Sequence, residues 1–167
     1  MNIIFLDVDG VLNNQKYIIG KHDEVLSKYK GKKLTIEEAV DRKMMDIDPE
    51  RLNLLKQMVD LTSSYVVITS SIKYLEYFEE IKERLNSSGI PVIGATKDSG
   101  NDRGKGIINY LRTHDVDKYI ILDDDIFEDY NEELLNRLVK TSYYGNGLEE
   151  KHIEESIKLM RTRWWKN

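Results

Sequence analysis

A chain of 167 residues, 40% of them hydrophobic, suits one domain with a sizeable core, and no apolar stretch approaches the roughly 20 residues that a membrane-spanning helix needs. It contains no cysteine, which excludes disulfides and thiolate metal sites. The formal net charge of −5 gives no overall attraction to nucleic acid or membrane, although a local basic patch is compatible with it. The opening Met1-Asn2-Ile3-Ile4 lacks a positively charged n-region and reaches Asp7 too soon for a signal peptide, so a cytoplasmic protein is expected.

In chain order, Ile3-Ile4-Phe5-Leu6 is an apolar run that ends in Asp7-Val8-Asp9-Gly10 and reads as a buried parallel strand followed by a turn. Residues 13–47 are polar, rich in Lys and Tyr, and too long for an ordinary loop, which favours a functional insertion such as a lid. Within them Thr35-Ile36-Glu37-Glu38 has the form of a capping box and predicts a helix through about Met45. Asp48-Pro49 reads as an N-cap with proline at the first helical position, and Leu52, Leu55, Met58 and Val59 share one face of the helix that follows. Tyr65-Val66-Val67-Ile68 is a second strand, ending in Thr69-Ser70-Ser71. The spacing of Leu75, Phe78, Ile81 and Leu85 predicts a helix that stops before Gly89. Ile90-Pro91-Val92-Ile93 is a short third strand, and Gly104, Ile107, Ile108 and Leu111 predict a helix from about Arg103. Tyr119-Ile120-Ile121-Leu122 is the fourth strand, ending in Asp123-Asp124-Asp125. A short helix, or a helix running into a last strand near 138–142, follows. Ile153, Ile157 and Met160 mark a C-terminal helix ending near Trp164-Trp165.

Strands alternating with helices imply βαβ units and a mainly parallel five-stranded sheet, covered on both faces. In such a sheet the strand ends bearing Asp7 and Asp9, Thr69 and Ser70, and Asp123 and Asp124 lie on one edge, where ligands of open α/β sheets bind. Four carboxylates converging there would repel one another, so a hard divalent cation is expected, and oxygen-only ligands favour Mg²⁺ over zinc. A cation that holds an anionic substrate is expected as well. Arg103, at a predicted helix start between glycines, has the geometry for bidentate phosphate contact, and Lys105 competes with it. An EF-hand reading of residues 123–133 fails, because the glycine expected near the sixth position is absent.

The set resembles the haloacid dehalogenase (HAD) superfamily of phosphotransferases. Asp7-Val8-Asp9-Gly10-Val11 is similar to its first motif, Val66-Val67-Ile68-Thr69 to its second, Arg103 or Lys105 to its third, and Ile120-Ile121-Leu122-Asp123-Asp124 to its fourth. A narrower resemblance spans nearly the whole chain: the stretches 5–13 and 69–71, Gly94-Ala95-Thr96, Arg103-Gly104, Leu122-Asp123-Asp124 and Gly147-Leu148 are similar to the small HAD domains of Swiss-army-knife RNA-repair proteins. There the second motif is usually followed by Trp-Arg, where this chain has Ile72-Lys73. The small deoxynucleotidases of the superfamily share the Thr-Ser ending.

The resemblance implies a three-layer Rossmann-like fold, a single domain over 1–167 with a small helical cap at 13–47, and a two-step phosphoryl transfer. It implies Asp7 as nucleophile and metal ligand, Asp9 as acid and base, and Mg²⁺ held by Asp7, the Asp9 carbonyl, Asp123 and Asp124. It further implies Thr69 and Arg103 on the phosphate oxygens, with Gly10 letting the backbone approach; Ser70 and Lys105 are further candidates for substrate binding. Capping the next helix is the competing role for Thr69 and Ser70. The lysines of 13–47 would meet a second phosphate or form a solvated surface, and Trp164 and Trp165 would stack on bases or pack a tail against the body. The expected function is a Mg²⁺-dependent phosphohydrolase acting through an aspartyl-phosphate intermediate on a nucleotide or nucleic-acid phosphate end; the expected partner is a phosphorylated small molecule or nucleic-acid end, and no membrane. The alternative is a nucleotide-sequestering protein without turnover.

Overall fold

The computed structural model of the chain describes residues 1–164. Strands β1 (Asn2–Leu6), β2 (Ser64–Ile68), β3 (Val92–Ala95), β4 (Lys118–Asp123) and β5 (Leu138–Lys140) form one parallel sheet in the order β3-β2-β1-β4-β5. The helices are α1 (Gln15–Tyr29), α2 (Ile36–Met44), α3 (Pro49–Thr62), α4 (Phe78–Ser87), α5 (Arg103–Thr113), α6 (Glu132–Leu135) and α7 (Glu150–Leu159). β1 alternates its side chains between two cores. Ile4 and Leu6 join a cluster completed by Met58, Ile81 and Ile153, from α3, α4 and α7. Ile3 and Phe5 join a cluster on the opposite face with Ile107 and Leu134, from α5 and α6. Burial on both faces explains why these strands read as unbroken apolar runs, and it gives the three-layer α/β architecture expected from the sequence.

The register places the chemistry. Leu6 pairs with Ile68 on one side and with Leu122 on the other, and Ile68 pairs with Ala95. One residue further on, Thr96, Thr69, Asp7 and Asp123 therefore stand in a row across the sheet edge. The ladder continues through that row, with Asp7 N–H donating to Leu122 O at 2.9 Å, Thr69 N–H to Leu6 O at 2.9 Å and Thr96 N–H to Ile68 O at 2.9 Å.

Several boundaries differ from the sequence expectation. The helix expected to include Leu75 starts only at Phe78, because Ser70 Oγ accepts from Ile72 N–H and closes a 3₁₀ turn over Ser71–Tyr74 first. β3 begins at Val92, past Pro91, and the β2–β3 register slips between Val66 and Val67, which pair with Val92 and Gly94. α6 and β5 are both present. α7 stops at Leu159 rather than near Trp164, since Arg137 Nη1 takes the Leu159 carbonyl at 2.8 Å and the Thr162 carbonyl at 3.3 Å. Trp164 packs edge-on against Tyr119, with ring centroids 5.8 Å apart; Trp165 lies outside the described residues.

The expected insertion at 13–47 holds two helices where its pattern showed one. α2 has the expected Thr35–Glu38 capping box and buries Val40. α1 was not foreseen: it buries no residue, so no apolar stripe announced it, and its start is set by Asn14, whose side chain accepts from Tyr17 N–H. Both ends of the segment return to one place, with Asn13 Nδ2 donating to Asp46 O at 3.0 Å and Asp48 N–H to Leu12 O at 2.8 Å.

Phe5 is fully buried between the edges of Tyr110 and Tyr119, with centroids at 5.6 and 5.8 Å. Phe5→Ala is expected to cost about 3–5 kcal/mol and to lower the melting temperature by roughly 6–20 °C, as read by circular dichroism. A shift below about 3 °C would show that the two tyrosines close over the cavity.

Candidate active site

Asp7 is the first residue beyond the central strand; its N–H is held by Leu122 O on β4, and the Leu6 carbonyl before it by Thr69 N–H on β2. Asp123 occupies the equivalent level on β4 with 0% exposure, and Asp124 follows it, half-buried. Among the described residues these three offer carboxylate oxygens that all lie within 4.8 Å of one another, a group that could hold a metal ion. The carboxylate of Asp9 is outside this group. Asp9 is exposed, and its Oδ1 accepts from Asn13 Nδ2 at 3.0 Å.

Arg103 enters from the first residue of α5. Its Nη1 lies 2.6 Å from Asp123 Oδ2 and 3.2 Å from Asp7 Oδ1, and its guanidinium sits over the Phe127 ring at 4.3 Å. Lys105 is turned outward, with its side chain 71% exposed and its Nζ paired to Asp102 at 3.0 Å. The helical spacing decides between the two. Positions two residues apart point in divergent directions, so only one can face the carboxylates.

One guanidinium does not balance three carboxylates. Burial pushes the Asp7 carboxyl up to about 7, with Asp123 adding to the rise and Arg103 opposing it. Burial also raises Asp123, against the pull of Arg103, and raises Asp124, where Asp123 is the next cause. A cluster that resists full ionisation has the donor chemistry for a hard cation, which would offset the repulsion.

Thr69 stands in the row beside Asp7, 1% exposed, and its hydroxyl has no hydrogen-bond partner among the described residues. A buried hydroxyl without a partner is uncommon because it forfeits its solvation. Ser70 does the capping instead, through the bond to Ile72 N–H. Gly10 adopts φ +79°, and a Cβ there would collide with the Asp124 carboxylate, so glycine makes room for an acid at this point. Its carbonyl accepts from Thr141 Oγ1 at 2.6 Å.

The resemblance marks the stretch 5–13 and Gly147-Leu148 without giving Asn13 or Gly147 a role, and the structure shows that they support the loop. Asn13 is fully buried; its Oδ1 accepts from Gly10 N–H at 2.9 Å, while its Nδ2 donates to Asp9. Its signals in the sequence are its place at the end of the 5–13 stretch and its position four residues after Asp9, directly after an apolar pair. Gly147 supplies the other support: a Cβ there would lie 2.6 Å from the Asn13 carbonyl, and the neighbouring Leu148 N–H donates to Val11 O at 2.9 Å.

A family model described as the HAD domain in Swiss Army Knife RNA repair proteins matches residues 3–153. The match runs from the first strand into α7 and takes in the whole sheet and all of the residues above. No curated protein and no solved structure matches the chain. With its sheet, its motifs and that match in agreement, the chain belongs to the HAD superfamily, in the family of HAD domains found in Swiss Army Knife RNA repair proteins.

Proposed function

We propose that the protein is a Mg²⁺-dependent phosphohydrolase that removes a phosphate from a nucleic-acid end or nucleotide through an aspartyl-phosphate intermediate. The family's description, in the context of RNA repair, supports the substrate class. The observation that carries the reading is the unpartnered Thr69 hydroxyl, buried in the row next to Asp7. No group among the described residues satisfies it, and a phosphate oxygen would.

In the first step Asp7 attacks phosphorus. Its Oδ–P bond forms as the P–O bond to the leaving group breaks, and Asp9 gives that oxygen its proton. In the second step Asp9 takes a proton from water, which attacks the same phosphorus and frees Asp7 with release of inorganic phosphate. The exposure of Asp9 suits a group that must meet both leaving oxygen and water, and Asn13 orients it. Thr69 and the Arg103 N–H groups not engaged with carboxylate would hold the phosphoryl oxygens where negative charge develops. Asp7, Asp123 and Asp124 would hold Mg²⁺, with the Asp9 backbone carbonyl, and the ion would neutralise charge on the phosphoryl group.

The 13–47 segment is proposed to act as a small cap, because both of its ends are tied beside Asp9 and α1 starts one residue after Asn14. Lys16, Lys28, Lys30, Lys32 and Lys33 are exposed on and just after that helix. They supply a local basic surface that favours a polynucleotide strand over a free sugar phosphate. No helix among the described residues is long and apolar enough to cross a membrane.

The test is a panel of nucleotides, sugar phosphates and 3′- or 5′-phosphorylated oligonucleotides, assayed for inorganic phosphate with and without Mg²⁺. Release is expected only with Mg²⁺, greatest for an oligonucleotide end, and at least about 10³-fold lower in Asp7→Asn. Tight nucleotide binding without release from any substrate would establish sequestration instead. Arg103→Ala is expected to lower turnover about 10²–10³-fold and Lys105→Ala less than about twofold; the reverse order would reassign the cation.

The raised Asp7 carboxyl predicts a pH signature. The ordinary aspartate value is 3.8 and the folded value about 7, so the metal-free fold is favoured by protonation and loses stability as pH rises through that window. Cation binding needs the ionised form. Added Mg²⁺ should therefore raise the melting temperature more at about pH 8 than at about pH 5.5. An equal rise at both would exclude Asp7 as a ligand.

A further inference from the structure

Lys73 lies in the 3₁₀ turn after β2 with its side chain 4% exposed, and it meets Asp98 at 2.5 Å, itself only 1% exposed. An ammonium has three protons to donate, and all three are engaged: to Asp98 Oδ2, to Thr96 Oγ1 at 3.0 Å, and to the backbone carbonyl of Thr69 at 3.1 Å. Asp98 is equally committed. Its Oδ2 also accepts from Thr96 Oγ1 at 3.1 Å, and its Oδ1 accepts from Tyr74 O–H and from Gly100 N–H at 3.1 Å.

The carboxylate is also a packing surface. A Cβ on Gly106 would lie 2.7 Å from Asp98 Oδ2, so α5 rests directly on the ion pair. Gly106 is one turn along that helix from Arg103. On the other side, the carbonyl that Lys73 grips belongs to Thr69 itself. A single buried pair thus joins the two elements that flank Asp7: the end of β2, bearing the Thr69 hydroxyl, and the start of α5, bearing Arg103. Burying such a pair costs desolvation that its mutual attraction barely offsets, so stability is a weak account of it. What it supplies is a defined distance.

We infer that Lys73, through Asp98 and Thr96, is the positioning residue that sets the spacing between the Thr69 hydroxyl and the Arg103 guanidinium, and so the width of the phosphate cradle. The inference rests on the phosphohydrolase reading. A cradle wrong by an ångström costs about 10²-fold in rate with the reacting groups intact. It need not weaken binding, because most of a polynucleotide's contacts lie elsewhere.

The experiment compares wild type with Lys73→Met, with the double variant Lys73→Met/Asp98→Asn, and with Thr96→Val, measuring kcat, KM and melting temperature on the best substrate of the panel. Lys73→Met strands the Asp98 charge and is expected to be unstable. The double variant is neutral and of similar shape, and should recover most of the melting temperature while kcat stays about 10²-fold low and KM moves less than about threefold. Thr96→Val keeps the side-chain shape but removes the bridging hydroxyl; it should lower kcat roughly fivefold and serves as the readout if the double variant does not fold. A double variant, or a Thr96→Val protein, with wild-type kcat would show the pair to be structural and overturn the inference. A raised KM at unchanged kcat would make Lys73 a substrate contact and overturn it also. Wild type inactive on the whole panel would defeat the phosphohydrolase reading and the inference with it, whereas an active wild type with indifferent variants defeats the inference alone.

Discussion

The site depends on the register of one strand between two others. β1 is locked to β2 and β4 at the same level, Leu6 opposite both Ile68 and Leu122. Thr69, Asp7 and Asp123 therefore leave the sheet side by side, although the chain separates them by dozens of residues. A slip of one residue on either neighbour would turn its terminal side chain to the other face of the sheet. Such a slip is opposed by the cores on both faces, because it would exchange Val66 and Ile68 with Val67 on β2, or Ile120 and Leu122 with Tyr119 and Ile121 on β4. Hydrophobic packing, which knows nothing of phosphate, thereby fixes polar geometry.

That geometry is electrostatically costly. Three carboxylates gather around one guanidinium, and burial pushes the central one up to about 7. A fold assembled for stability alone would not place them so. The strain is local and borne by a well-packed sheet beneath, and a bound cation would offset it. The second buried ion pair, Lys73 with Asp98, has every hydrogen-bonding proton of its ammonium engaged. The first cluster lies at the sheet edge; the second is closed, and it joins the end of β2 to the start of α5.

The segment between β1 and α3 follows a different logic. α1 buries no residue, carries exposed lysines and starts at the edge of the site loop, while α2 anchors the return by burying Val40. Its start is fixed by the Asn14 cap rather than by a core-facing stripe, and its Lys16 and Lys28 stay exposed.

The strand ends, their acids and the Thr69 hydroxyl were legible in the sequence, because a buried parallel strand is a continuous apolar run and the residue that ends it stands out. The capping residues Thr35, Asp48 and Pro49 were legible for the same local reason. Only the tertiary structure decided that Asp7, Asp123 and Asp124 share one small volume while the Asp9 carboxylate stands outside it, that Arg103 rather than Lys105 turns inward, and that Gly10 makes room for Asp124. It alone revealed Asn13 beneath the loop and the bond between Lys73 and Asp98, which are 25 residues apart. The physical reason is that periodicity records which side of an element meets the core. A contact between a turn and a distant loop has no period, and only the pairing of β2 with β3 brings its two halves together.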